Sequence, residues 1–191
     1  EKAVLILLTS FGKIDGEAVG ANLHGTPVVC GGHSSAYYQA CYKYTNTGWQ
    51  QFASMKEKRG YAAGITYKNK FHVFGGTDGQ ASKTTELISI DGGVEYGPEL
   101  PEAAAWHAIT SINSTVSLLS GDDGQEEVAG LVDIEVGEDI YAQVQDRYHH
   151  GSATVVDKVT KAKIPMVTGG YNAGTLDVNR TANQWAVAIR Y

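Results

Sequence analysis

Two cysteines, Cys30 and Cys41, carry all the thiol chemistry open to this chain. They are eleven residues apart and lack the CxxC spacing of metal and redox pairs, which argues against a metal or catalytic cysteine. Both fall in stretches that read as adjacent strands of one hairpin. Antiparallel neighbours place their Cα atoms about 4.5–5.5 Å apart, a separation that suits a disulfide. Two buried thiols are the other reading. Six histidines are present: His24, His33, His72, His107, His149 and His150. In a strand, His149 and His150 point to opposite faces and cannot both ligate one metal. The acidic run Asp122-Asp123 with Glu126-Glu127 offers oxygen ligands of the kind calcium takes. It lacks the spacing of a known calcium loop, so a solvated acidic loop is expected. No Gly-rich phosphate loop, GxSxG elbow or HExxH pair occurs. The residues predict no metal, no cofactor and no catalytic centre.

The elements that must position these residues announce themselves through a repeat. Thr26-Pro27-Val28-Val29-Cys30-Gly31-Gly32 is a short apolar run ending in a glycine pair. The event recurs at Lys70-Phe71-His72-Val73-Phe74-Gly75-Gly76, at Val116-Ser117-Leu118-Leu119-Ser120-Gly121 and at Ile164-Pro165-Met166-Val167-Thr168-Gly169-Gly170. The closing glycines lie at 32, 76, 121 and 170, at intervals of 44, 45 and 49. Near-constant spacing of this length marks a repeat architecture. Gly16-Glu17-Ala18-Val19 precedes Gly60-Tyr61-Ala62-Ala63 by the same 44 residues, so the whole unit repeats. Trp106-His107-Ala108-Ile109 and His150-Gly151-Ser152-Ala153 hold that place in the third and fourth units. His107 and His150 are therefore repeat-equivalent, which predicts a shared packing role.

The second unit is the clearest. Gly60 to Tyr67 reads as a first strand, Lys68-Asn69-Lys70 as a polar turn and Phe71 to Phe74 as a second strand. Thr84 to Ile90 alternates polar and apolar, as a half-buried strand does. Asp91-Gly92-Gly93 is a turn signal, and Val94 to Leu100 a polar fourth strand. Four antiparallel strands in about 45 residues form a meander that cannot bury both faces alone. Stacking such sheets radially buries them, which predicts an all-β chain and a β-propeller. Small residues in the first strands (Gly16, Ala18, Gly20; Gly60, Ala62, Gly64; Gly151, Ala153) fit a crowded central channel. The blades are expected at 16–55, 60–100, 104–144 and 147–191. Residues 1–15, with apolar Ala3 to Leu8, read as one strand of an incomplete blade.

An apolar run, Gly-Gly, a Tyr in the next strand and a Trp some six residues later resembles the kelch repeat. Gly31-Gly32, Tyr42 and Trp49 form the fullest match. Gly75-Gly76 lacks the later Tyr and Trp, Gly121 keeps one glycine of its pair, and Gly169-Gly170 is followed by Trp185. Cys30-Gly31-Gly32 with Cys41-Tyr42, Thr85-Glu86-Leu87 and Arg147-Tyr148-His149-His150-Gly151 looks like the kelch propellers of secreted invertebrate proteins. That resemblance implies a disulfide staple between second and third strands. Kelch propellers usually have six or more blades. Four units and a stray strand therefore imply part of a longer chain, or a ring closed by another segment.

Composition narrows the function. Lys and Arg number 15 against 21 Asp and Glu, for a net charge of −6. With no basic cluster, nucleic acid is a poor partner. No apolar run approaches the roughly 18 residues of a membrane span, and the six-residue Ala3–Leu8 run is too short for a signal peptide. The sequons Asn113-Ser114-Thr115 and Asn179-Arg180-Thr181 are candidate glycosylation sites. In a meander, the loops entering strand one and those joining strands two and three share one end. That end gathers Lys58, Arg59, Trp106, Asp146 and Arg147 with His33, Ser34, Ser35, Tyr37, Thr77, Asp78, Gly79, Asp122, Asp123, Tyr171 and Asn172. The expectation is a non-catalytic extracellular module that binds a protein or glycan partner there; ordinary solvated loops are the plainer reading. A galactose-oxidase-like copper radical enzyme, with a Cys–Tyr cross-link, and an intracellular kelch substrate adaptor are the alternatives.

Overall fold

The computed structural model describes residues 16–111, 116–122, 127–133, 138–141, 148–156, 163–171 and 185–186. Every element among them is a β-strand or a turn. The strands fall into four antiparallel sheets, each built from consecutive strands. The first sheet holds β1 (Val19–Leu23), β2 (Thr26–Cys30), β3 (Ala40–Thr45) and β4 (Gly48–Ser54). The second holds β5 (Ala63–Tyr67), β6 (Lys70–Phe74), β7 (Thr85–Ile88) and β8 (Val94–Tyr96). The third holds β9 (Ala105–Ser111), β10 (Val116–Asp122), β11 (Glu127–Asp133) and β12 (Glu138–Tyr141). The fourth holds β13 (Tyr148–Val156), β14 (Lys163–Tyr171) and β15 (Trp185–Ala186). The strand expected within residues 1–15 lies outside the described residues.

Two-residue hairpins set the register of the first two sheets. His24 and Gly25 turn β1 into β2 with φ of 53° and 80°, and Lys68 and Asn69 turn β5 into β6 with 44° and 64°. Two consecutive positive φ values give the turn whose twist matches paired strands. The equivalent turns touch: His24 Nε2 lies 3.2 Å from the Asn69 carbonyl oxygen, and Thr66 Oγ1 donates to the Asn22 carbonyl at 2.6 Å.

The core lies between sheets. Leu23, Val28, Cys30, Cys41 and Met55 pack with Phe71, Val73 and Ile88 from the second sheet. Ala63, Phe74 and Leu100 pack with Ala104 and Ile109 at the third. Strand β6 is covered on both faces: Phe71, His72, Val73 and Phe74 are all buried. A sheet buried on both sides reads as an apolar run rather than an alternating one, as this one does. First strands meet in series, β1 on β5, β5 on β9 and β9 on β13. A side chain on Gly64 of β5 would meet Val19 of β1 at 2.9 Å, so the small residues of these strands answer to crowding. Among the described residues the series does not close on itself.

The repeated glycines form the seams. Gly32 N–H donates to the carbonyl of Arg59, and Gly76 N–H to that of Ala104, each time reaching the segment that leads into the next sheet. Gly31 has φ of 66°, and a Cβ there would lie 2.3 Å from the Arg59 carbonyl oxygen. Only glycine tolerates both conditions.

One strand departs from expectation. The Thr84–Ile90 stretch alternates in sequence, yet Thr85, Glu86 and Ile88 are all buried. Glu86 is a charged residue inside the protein because of what it binds.

Candidate functional site

Arg59, expected on a partner-facing loop, is buried at 1% exposure. Its Nε and Nη2 donate to Glu86 Oε1 at 3.2 and 3.0 Å. Nη1 donates to the carbonyls of Gly75 and Thr84, and Nη2 also to Thr84 Oγ1 and to Glu57 Oε2. Glu86 takes two further bonds, from the backbone N–H groups of Lys56 and Glu57. A buried charge is tolerable when paired and hydrogen-bonded on all sides. Arg59 and Glu86 thus lock the connector from β4 into the second sheet, and the guanidinium is not offered to a partner.

The two cysteines form a disulfide between β2 and β3, at paired positions with Cα atoms 4.1 Å apart. Both are fully buried.

The same end of the sheets carries a different constellation on its surface. Glu17, Tyr61 and Trp106 hold equivalent places just before or at the start of β1, β5 and β9. All three have left-handed backbones, with φ of 60°, 55° and 50°. Their main chains are linked across sheets: Tyr61 N–H donates to the Glu17 carbonyl, and Trp106 N–H to the Tyr61 carbonyl, both at 3.0 Å. Their side chains are linked as well. The Glu17 carboxylate beside it raises the Tyr61 pKa above the usual tyrosine value, with burial adding to the effect. The Trp106 side chain pulls the other way. The Tyr61 and Trp106 rings are 5.0 Å apart and tilted by 43°.

His33 extends this row. Its Nδ1 lies 3.3 Å from Glu17 Oε2, and its ring packs on Tyr37 with centroids 4.4 Å apart. Tyr37 in turn lies over Gly60, where a Cβ would come within 3.0 Å of the ring. The Ser34 hydroxyl pairs with Tyr38 at 2.6 Å, while His33 pairs with Glu17. Asp78 is exposed on the β6–β7 loop. Asp122 ends β10 in register with Ala105, beside Trp106. Tyr171 ends β14 in register with Tyr148, which places His149 one residue on, in the position of Glu17, Tyr61 and Trp106. Asp123, Arg147, Asn113 and Asn179 lie outside the described residues.

No protein-family model matches the chain, and no curated protein matches it at a significant level.

Of the expected face, His33, Tyr37 and Trp106 are brought together, and Arg59 is withdrawn. Glu17 and Tyr61 were absent from that expectation, although their spacing of 44 residues, and of 45 from Tyr61 to Trp106, marks them as Trp106's equivalents. Among the described residues no three His, Cys, Asp or Glu side chains converge as a metal-ligand set, and no helix is long and apolar enough to cross a membrane. Half-buried rings edged by a carboxylate present apolar area at low entropic cost and keep one polar edge wet.

Proposed function

We propose that this chain is a kelch-type β-propeller, or a segment of one, acting as a non-catalytic extracellular recognition module for a protein or glycan partner. The observation that carries the reading is the row of Glu17, Tyr61 and Trp106. One repeat position, used three times, gathers a carboxylate and two aromatic rings at one end of successive sheets. The propeller reading is supported by the serial contact of first strands and by the glycine seams between sheets; a further segment or a longer chain completes the ring in this proposal. The disulfide is compatible with an oxidising, extracellular setting. It also occupies both cysteine sulfurs of the chain, leaving none for the Cys–Tyr cross-link of an oxidase.

The test is retention on an oligosaccharide array and a displayed peptide library. Wild type is compared with Trp106→Ala and with Tyr96→Ala, which alters an exposed ring on the outermost strand of the second sheet. Binding lost in Trp106→Ala and kept in Tyr96→Ala is expected. Ligands retained equally by all three proteins, or by none, would sink the proposal.

A further inference from the structure

We infer that the open face of the first sheet docks a second copy of this chain. The copy's fourth sheet seats there by the kind of seam that joins sheets within one chain. The inference rests on the propeller reading above, is independent of the aromatic row, and names what completes the ring.

The repeat shows what that face is built to do. Phe71 and Val73 of β6 and Ile88 of β7 pack towards the first sheet and are fully buried there. Their counterparts 44 residues earlier are Pro27, Val29 and Tyr44. Val28, Cys30 and Cys41 face the second sheet, so strand alternation turns Pro27, Val29, Tyr42 and Tyr44 the other way. All four are only half-buried. The inner strands show the same contrast. A Cβ on Gly64 would meet Val19 of the neighbouring sheet at 2.9 Å, whereas on its counterpart Gly20 it would meet only Val28 and Val29 of its own sheet. Among the described residues the series of sheets does not close. The first sheet thus carries the near half of a seam, and the fourth the far half of one.

Composition points to protein as the cover. Trp49 lies opposite Tyr44, with the two rings edge-to-face at 5.4 Å. With Tyr42 they give the face three aromatics, and with Pro27 and Val29 they bring it no charge. Protein interfaces gather such rings at their centres and exclude charged residues from them. Two copies that each carry −6 meet with least repulsion on an uncharged face. In the second sheet the register position of Tyr42 belongs to Glu86, which enters its seam with Arg59 beside it. Tyr42 brings no charge to be compensated.

Connectivity points to a second copy as that protein. The seams run in chain order, β1 on β5, β5 on β9 and β9 on β13. Each joins the far face of one sheet to the near face of the next. The four sheets therefore leave two unlike faces open, and the rule of the repeat fits one to the other. Unlike faces that meet head to tail generate a closed ring where the rotation allows it. Two copies make the missing seam twice, cover all four faces and leave none open. Met166 marks the far face in the fourth sheet: it pairs with Ala153 as Val28 pairs with Ala21, each four residues before its closing glycine.

The experiment measures the molar mass of the full chain by light scattering after gel filtration, over a wide range of protein concentration. Wild type should run at twice the chain mass. Val29→Lys and Met166→Glu each put a lone charge into the seam and should weaken association roughly tenfold or more. Mixing the two variants should restore the dimer, because one seam is then wild type and the other pairs lysine with glutamate. Melting curves show whether each variant is folded, and the wild-type mass decides even where a variant is not. A wild-type monomer at every concentration overturns the second copy and leaves the propeller reading to a longer chain. A dimer lost in Val29→Lys but untouched by Met166→Glu is a face-to-face pair of first sheets, which overturns the seam. A dimer indifferent to both substitutions overturns the inference as well. Small-angle X-ray scattering of the dimer should fit a closed disc; two lobes joined end to end would overturn the propeller reading itself.

Discussion

The backbone N–H of Tyr61 donates to the carbonyl of Glu17 across the first sheet boundary, and both residues hold left-handed backbones to make that bond. A left-handed conformation costs an ordinary residue roughly 1–2 kcal/mol. The fold accepts the cost at three equivalent positions, and in return each sheet is tied to the next at the end that carries the aromatic row. Asn tolerates this region better than other residues, and a β-branched residue tolerates it worst. Tyr61→Asn and Tyr61→Val both delete the ring, so their difference reports the backbone. Tyr61→Asn should be the more stable by about 1 kcal/mol. Equal urea midpoints for the two variants would show that the main chain relaxes and that the strain is not real.

Arg59 and Glu86 predict an asymmetric double-mutant cycle. Removing Arg59 leaves Glu86 buried without a counter-charge, and removing Glu86 leaves Arg59 with only the half-buried Glu57, at a cost of about 3–5 kcal/mol, whereas replacing both with apolar residues of similar size is often far milder. The third sheet already has the apolar solution. Ala104 stands where Arg59 does, one residue before the first-strand partner of the post-glycine position, and Leu131 takes the register position of Glu86. Arg59→Met and Glu86→Leu should each be strongly destabilising, and the double variant should recover most of the loss. A double variant as unstable as the sum of the singles would mean that the backbone carbonyls of Gly75 and Thr84, and the N–H groups of Lys56 and Glu57, are the essential partners.

How legible these features were depended on their period. The glycine pairs, the second strands at Thr26–Cys30 and Lys70–Phe74, and the polar turn at Lys68-Asn69 were readable because each repeats or has turn chemistry of its own. The first strand of the second sheet is shorter than expected, Ala63–Tyr67 rather than starting at Gly60, because Tyr61 is left-handed and turns the chain. The burial of Arg59 was illegible. Charged residues are almost never fully buried unless paired, and its partner lies 27 residues away in a strand that read only as half-buried. Position within a repeat was visible; membership of a pair that crosses a seam was not. The aromatic row shows the same division. Trp106 stood out as a residue type, while Glu17 and Tyr61 needed the spacing read across sheets.

The Cys30–Cys41 disulfide joins neighbouring strands and closes a short loop, with a sequence separation of 11. In the chain-entropy view it constrains the unfolded state by about 3 kcal/mol. Cys30→Ala with Cys41→Ala should lower stability by that order. Both sulfurs are shielded from solvent, so alkylation of the native protein should give no adduct, and reduction under denaturing conditions should give two. One adduct without reduction would mean that the pair is not formed in the isolated protein.

His72 gives the chain a pH dependence whose direction is set by burial. Its imidazole stacks on Phe74 with centroids 3.9 Å apart, and its Nε2 lies 3.0 Å from the Thr85 hydroxyl. Thr85 already donates that hydroxyl to the Pro98 carbonyl, so the histidine is the donor, through Nε2–H. Its Nδ1 is buried without a hydrogen-bond partner. Desolvation lowers the pKa from 6.5 to about 4. The folded state therefore holds the ring neutral over a range in which the unfolded state protonates it. Stability from this group is fully present above pH 6.5 and is lost as the pH falls towards 4, by about 3 kcal/mol in all. His72→Phe keeps the ring and removes the titration. The stability gap between wild type and this variant should move by that amount in the variant's favour between pH 7 and pH 4, as read from urea unfolding at each pH. A gap that stays constant across the range would place the His72 ring in contact with water, and the packing of β6 between two sheets would have to be redrawn.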